Sequence, residues 1–599
     1  MMNRCNIALL LVLVILSSCA KDKSDNKLPL TDVINKSNSS IRMFNFYNGQ
    51  LDMTINNVPL TAYPSTSGNT SPQQGTQLGL SFFPSGAWES ADNGSPFTVP
   101  NGLLDKTGSI RLQIRSRAPI QNTSGVPKYF VLDTVITNDV LSPRDYYVQG
   151  DGTIHMLRRD NVAPANAQQF KLRIINLGLG KDVNNIGGPV SLTFADGTAV
   201  AQELTNVAQG SSSAYATLDY GSFLFRLYDS KGGSIDITKQ YAEAPEYPVY
   251  NPCMAVPPSQ QGIANQLRTF KPGGVYSIVV APALYRTLDC QKYATTSLFN
   301  VYHVITEQDP GVNYTYARMQ AVNAVAGKQV TVKVDGQPLS GVTLDYVGNS
   351  TPDKAITPAY SIFVQGSHTV EVTDAAGGVL AKKSINLYPY DNYCIWAYTT
   401  PDNKVDILFE ANDMTGSVYS QAYFDNAAIP DDGTNGAHNI RRYPYHLKTR
   451  FLNLSPDLPY ATFLNDQQSF LPMVLNGDTL RPASAFINLR SGVQPSRNPA
   501  IMFLMGPWSE YNGTSGLLPP EQLNAPRLVR VYASQPAPLP QIPGQLLANI
   551  APLNTAKGFV ANPALYDGGA TTNVESGVYT IALVGNVASA RMVLIKHNN

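Results

Sequence analysis

One strand signature occurs four times along the chain, and it limits the fold more than any other feature. The copies read Ile41-Arg42-Met43-Phe44-Asn45-Phe46, Leu172-Arg173-Ile174-Ile175-Asn176-Leu177, Met319-Gln320-Ala321-Val322-Asn323-Ala324 and Thr449-Arg450-Phe451-Leu452-Asn453-Leu454. They share the pattern R-x-x-N, with Gln320 in place of arginine once. From Arg42 to Arg173, then to Gln320, then to Arg450, the spacings are 131, 147 and 130 residues. Each is the size of one β-sandwich domain, so the 599 residues are expected to form a tandem array and not one large core.

Strand signals dominate everything after residue 40. Runs such as Gln329 to Val334, Tyr360 to Val364 and Val578 to Val584 alternate or are β-branched, and Gly, Asn, Asp and Pro break them. The 45 glycines and 43 prolines are spread through the chain, as turn punctuation is. In each copy a second strand ends at a turn: Asn56-Asn57, Asp196-Gly197, Asp335-Gly336 and Asn465-Asp466, residues that tolerate the positive φ of tight hairpins. Each copy also closes on a tyrosine that leads a strand: Tyr146-Tyr147-Val148, Tyr276-Ser277-Ile278, Tyr393-Cys394-Ile395 and Tyr579-Thr580-Ile581. A tyrosine there can bury its ring and bond its hydroxyl to nearby backbone, as in the tyrosine corner of immunoglobulin-like domains.

Arginine and asparagine three residues apart on a strand face opposite sides of the sheet, which argues against a shared active site. Tying down a neighbouring loop is the expected task, because Asn bonds local backbone readily. These features resemble the domain-of-unknown-function 4397 family (DUF4397) of Bacteroidota lipoproteins, whose members open on R-x-x-N-x-S-P-D and continue into V-x-V-x-x-D-G. Arg450-Phe451-Leu452-Asn453-Leu454-Ser455-Pro456-Asp457 matches that opening throughout, and the third copy keeps Asp335-Gly336. The first and second copies depart from it, with Phe46-Tyr47-Asn48-Gly49 and Leu177-Gly178-Leu179-Gly180. The resemblance implies immunoglobulin-like sandwiches and no established chemistry.

The N-terminus reads as an export signal: Arg4, an apolar run from Ile7 to Leu16, then Leu16-Ser17-Ser18-Cys19. The run is short for a membrane span. A cysteine directly after two small residues resembles the lipobox, which makes Cys19 the lipidated residue and residues 1–18 the signal peptide. Residues 19–40 are polar and read as a flexible tether. Asp22 and Asp25 resemble weak surface-export signals of Bacteroidota lipoproteins. The expected location is therefore the outer membrane, lipid-anchored and displayed at the cell surface, with the periplasmic face as the alternative.

Lys plus Arg equals Asp plus Glu, 43 against 43, so no net field draws nucleic acid. Of 5 cysteines, Cys253 and Cys290 are candidates for a disulfide, and Cys394, in an apolar strand, reads as a buried free thiol. None of the 6 histidines falls in a metal-gathering spacing, and no nucleophile elbow, phosphate loop or dinucleotide fingerprint occurs. No metal or cofactor is expected, and no catalysis. Pro430-Asp431-Asp432-Gly433-Thr434-Asn435-Gly436 lacks calcium-loop spacing and reads as a turn.

The expected organisation is all-β: four tandem sandwiches at 41–160, 170–290, 315–412 and 448–599, with 413–447 as a linker. The last carries an expected loop insertion from about Ser491 to Pro543, holding Trp508, Tyr511 and Tyr532. Exposed aromatics on a loop would suit a sugar ring or a protein partner, and the alternative is that they plug their own loop. The expected function is a non-catalytic binding or adhesion module for a glycan or protein ligand, held to the membrane through its lipid. The alternatives are a spacer or assembly subunit of a surface structure, and an accessory lipoprotein or enzyme of polysaccharide use.

Overall fold

The computed structural model describes residues 38–46, 51–60, 96–116, 131–149, 153–160, 162–182, 185–231, 233–243, 267–288, 294–389, 392–412, 414, 417–419, 440–442, 446–465, 474–475, 478–479, 486–494, 501–504, 528–539, 541–562, 575 and 577–598. Nearly all regular structure among them is β-strand, arranged in several separate sheets. Thr555–Gly558 forms one short α-helical turn. The protein is an all-β, multidomain sandwich, and it divides into two compact units, one ending at Arg159 and one running from Asp160.

In the first unit two four-stranded sheets face each other. One has the order Pro96–Pro100, Asn38–Asn45, Arg144–Val148, Ile154–Arg158; the other runs Val58–Pro59, Leu51–Ile55, Ser109–Ser116, Val131–Thr137. The Leu51–Ile55 strand alternates buried and half-buried residues, the signature of a strand with one face on the core. Its inward side chains join Ile41, Met43, Ile110, Leu112, Ile114 and Val148 in one apolar cluster. The hairpin turn that follows holds Asn56 and Asn57 at φ of 49° and 66°, the left-handed region asparagine tolerates.

The second unit repeats one motif three times. In every copy the R-x-x-N strand pairs in parallel with the tyrosine-led strand: Gln169–Asn176 with Val275–Leu288, Tyr316–Ala324 with Asn392–Thr399, and His446–Leu454 with Gly577–Val584. In these three the residue before the motif's first position sits opposite the tyrosine, as Leu172 does Tyr276, Met319 does Tyr393 and Thr449 does Tyr579. The first repeat differs, because there Arg42 lies opposite Asp145 and Met43 opposite Tyr146. Each repeat of the second unit has its own apolar cluster.

Three details depart from the organisation expected from sequence. The Ala294–Gln308 strand pairs along the whole Val275–Leu288 strand, so this sandwich runs through Gln308, past the boundary expected at 290. The stretch read as a loop insertion contains two strands, Ile501–Leu504 beside the opening strand and Leu528–Gln535 inside the second sheet. Within the expected linker, Ser417–Tyr419 and Ile440–Arg442 form a short antiparallel pair.

Candidate functional site

The asparagines of the signature act as loop clamps. Asn453 donates its amide to the carbonyls of Leu458 and Leu489 at 2.8 and 3.1 Å, and its Oδ1 accepts the Ser455 N–H. Asn323 bonds Lys328 O, Leu344 O and the Val325 N–H in the same way, and Asn176 bonds Gly188 O, Val207 O and the Gly178 N–H. One side chain thus bonds three backbone groups where the chain turns away from the strand, and Val207 O and Leu344 O each also accept a backbone N–H. The loop-tying role expected from sequence is the one found.

The arginines on the opposite face enter buried ion pairs. Arg42 holds Asp145 in a bidentate pair at 2.9 and 2.7 Å, and Arg159 reaches the same carboxylate at 2.9 Å. Arg173 meets Glu307 at 2.7 Å, lies with its guanidinium 4.8 Å from the Tyr215 ring centre, and shares Glu307 with the Tyr215 and Ser277 hydroxyls. Both acids lie in the arginine's own sheet.

Repeats three and four exchange partners. Arg450 of the fourth pairs with Glu410 of the third at 2.7 Å, and Gln320, standing where the third repeat would carry arginine, donates Nε2 to His597 Nδ1 of the fourth. The donors then fix the tautomer: His597 donates Nε2–H to the Thr580 hydroxyl at 2.7 Å, and Thr580 donates to Glu410. Trp396 gives its indole N–H to the other Glu410 oxygen at 2.6 Å. Burial lowers the His597 pKa to about 4. Burial pushes the Glu410 carboxyl up, but Arg450, His597, Thr580 and Trp396 together hold it below its ordinary value.

A hydroxyl, an imidazole and a carboxylate in contact resemble a nucleophile set, yet this trio is wired otherwise. Glu410 contacts the hydroxyl and not the far imidazole nitrogen, Arg450 neutralises it, and Glu410, Thr580 and His597 all have 0% exposure. The arrangement fastens two repeats and presents nothing to a substrate. Around it lie Val322, Ala324, Cys394, Trp396, Leu452, Leu454, Ala582 and Val584 as an apolar seam between the same repeats. A second buried set joins repeats two and four: Glu575 meets Arg226 at 3.2 Å and Lys596 at 3.0 Å.

The tyrosine corner forms in three repeats. Tyr276 and Tyr393 accept the N–H of Lys271 and Tyr388 at 2.9 and 3.5 Å, and Tyr579 donates to Glu575 O at 2.8 Å. In the first repeat Tyr147 instead stacks on Phe44 and Phe46.

Of the residues expected to carry function, Cys19, Cys253, Cys290, Trp508 and Tyr511 lie outside the described residues. Tyr532 is a correction: it lies in the Leu528–Gln535 strand at 5% exposure, inside the fourth apolar cluster, and not on an exposed loop. The alternating Leu528-Val529-Arg530-Val531 that precedes it was the available strand signal. Cys394 is a buried free thiol, and burial pushes its pKa well up. The described residues contain no cluster of three or more His, Cys, Asp or Glu that could hold a metal, and none of their helices is long and apolar enough to cross a membrane.

No family model matches the chain, and no curated protein does. Among solved structures, CBMbc (family CBM26) from Eubacterium rectale Amy13K in complex with maltoheptaose is 12% identical, covering 45% of this chain and 98% of its own, with a TM-score of 0.12. A structure on alpha-glucan recognition by family 41 carbohydrate-binding modules from streptococcal virulence factors is 10% identical, covering 40% and 96%, with a TM-score of 0.10. At these scores neither likeness bears on fold or ligand.

Proposed function

We propose that the chain is a lipid-anchored, non-catalytic display protein of the DUF4397-like Bacteroidota type, which carries a binding surface for a glycan or protein away from the outer membrane. The observation that supports this most is the fate of the repeated signature. Its arginines and asparagines hold loops and neighbouring strands, and repeats two to four are fastened by buried side chains into one unit. Stiffness over several domains serves presentation of a surface at a distance.

The test has two arms. In cells, Cys19→Ala should move the chain from the membrane fraction to the soluble one, and intact cells carrying the unaltered chain should lose it to added protease. In vitro, the chain lacking residues 1–40 should retain a ligand on a glycan array or in a cell-surface protein pull-down. Membrane retention of Cys19→Ala would remove the anchor, and hydrolysis of an arrayed glycan would remove the non-catalytic reading.

One observation favours assembly as a second reading. The Val131–Thr137 strand is the outer edge of its sheet, and Val131 and Val135 are 66% and 68% exposed there. A strand at the edge of a sheet is a template for pairing with another chain. Val135→Lys would abolish such self-association in sedimentation velocity, whereas a chain that is monomeric before substitution rejects it.

A further inference from the structure

Five arginines are buried among the described residues, and four of them, Arg42, Arg173, Arg226 and Arg450, meet a carboxylate at 2.7 to 3.2 Å. Arg318 does not. It is 3% exposed, and its Nε donates to Asn392 Oδ1 at 2.7 Å, which leaves both terminal nitrogens of the guanidinium without an acid. Glu410 shares this sheet face, two residues from Asn412, but its oxygens are taken by Arg450, Trp396 and Thr580. A buried guanidinium that keeps its charge without a counter-ion is costly, which is why such groups are found paired.

Two aromatic rings and a glycine surround the guanidinium. Tyr360 lies over the guanidinium at 4.3 Å and Tyr220 of the second repeat at 5.5 Å. Rings against its surface favour the cation and leave only its edge free for hydrogen bonding. On the Nη1 side the chain is glycine, Gly221, where a Cβ would come within 2.4 Å of that nitrogen. Three further buried polar atoms of this group have no hydrogen-bond partner, the Tyr220 and Tyr360 hydroxyls and the Asn412 Nδ2. Asn412 pairs with Asn392, which pairs with Arg318, so the three side chains stand in one row on the same sheet face. Tyr360 directly precedes the strand that pairs with Tyr316–Ala324 on its other side.

We propose that Arg318 anchors an oxyanion site at the junction of the second and third repeats, which takes a carboxylate or phosphate group along the open edge of its guanidinium. Tyr360 and Asn412 supply additional donors. A planar fork of N–H groups matches either oxyanion. The source is a free small anion or the acid group of a uronate sugar. The inference is independent of the display reading, since a structural anion would bind there whatever the array presents.

The experiment titrates the full chain in detergent with acetate, inorganic phosphate, glucuronate and a galacturonate oligomer, at constant ionic strength in chloride, and follows Tm and isothermal heats. A saturable rise with acetate or phosphate supports a free-anion site, and a rise confined to the uronates supports an acidic glycan. Arg318→Gln should abolish the saturable part, and Tyr360→Phe, which keeps the ring and removes one donor, should weaken it about fivefold. No saturable response to any of the four overturns the proposal, as does an unchanged response in Tyr360→Phe together with Arg318→Gln. If Arg318→Gln does not fold, the wild-type titration and Tyr360→Phe decide alone.

Discussion

Replacing Asn453 by alanine would remove three bonds to the backbone at once, those to the carbonyls of Leu458 and Leu489 and to the N–H of Ser455. Each buried unsatisfied group costs on the order of 1–3 kcal/mol, partly relieved by relaxation, so Asn453→Ala should cost roughly 2–4 kcal/mol. A fall in the urea midpoint checks it, and a loss under about 0.5 kcal/mol would mean the loops hold without the clamp. His597 gives the pH dependence. Its pKa is about 4 in the fold against 6.5 when exposed, so between those values the unfolded chain binds the extra proton and the folded chain does not. Stability therefore falls as pH drops below about 6.5, by about 2 kcal/mol at pH 5, and this group contributes no slope above about pH 7. His303, lowered to about 3 by burial and by Arg268, acts in the same direction. Urea midpoints at pH 7.5 and 5.0 should separate, and His597→Gln should narrow the gap.

At the scale of the strand, the tyrosines offer a contrast within one molecule. Tyr579→Phe keeps the ring against Phe559, at 4.5 Å between centres, and removes only the bond to Glu575 O. The expected cost is about 1 kcal/mol. Tyr146 of the first repeat has a shifted register and no corner bond of this kind, so Tyr146→Phe should stay within about 0.5 kcal/mol of the unaltered chain. Equal effects in both would dissolve the corner as a stabilising element. The strands themselves were legible because a half-buried strand writes period two into its side chains, and the turns because Asn56, Asn57, Asp335 and Gly336 adopt the positive φ their types permit. The Leu528–Gln535 strand is masked in the sequence because Gly, Asn and Pro on either side outweigh its few residues of strand character, and Tyr532 is masked with it. The Arg–acid pairs were not legible at all. Asp145 lies 103 residues from Arg42, and the pairing across repeats depends on register and packing, which no local pattern encodes.

For the second unit as a whole, the exchange at Gln320 decides how many pieces it behaves as. In the first two repeats the signature arginine finds its acid at home; in the third, glutamine leaves Glu410 uncompensated there, and Arg450 of the fourth repeat supplies the charge. Neither repeat then neutralises its own seam face, because parting them leaves an unpaired carboxylate on one side and an unpaired guanidinium on the other. Such a pair adds little net energy over an apolar replacement, but breaking it from one side costs about 3–5 kcal/mol. Glu410→Gln should therefore destabilise the unit by that order. The loss should fall on the seam between the repeats, where Trp396, Thr580 and His597 lean on the same carboxylate. In calorimetry the third and fourth repeats of the unaltered chain should unfold in one transition, and Glu410→Gln should split it. The double variant Glu410→Gln with Arg450→Met removes both charges, and it should recover much of the loss, giving a coupling energy of at least about 1.5 kcal/mol in a double-mutant cycle. Additive losses with an unsplit transition would show that the apolar seam alone joins the repeats and that the exchanged charges merely tolerate burial.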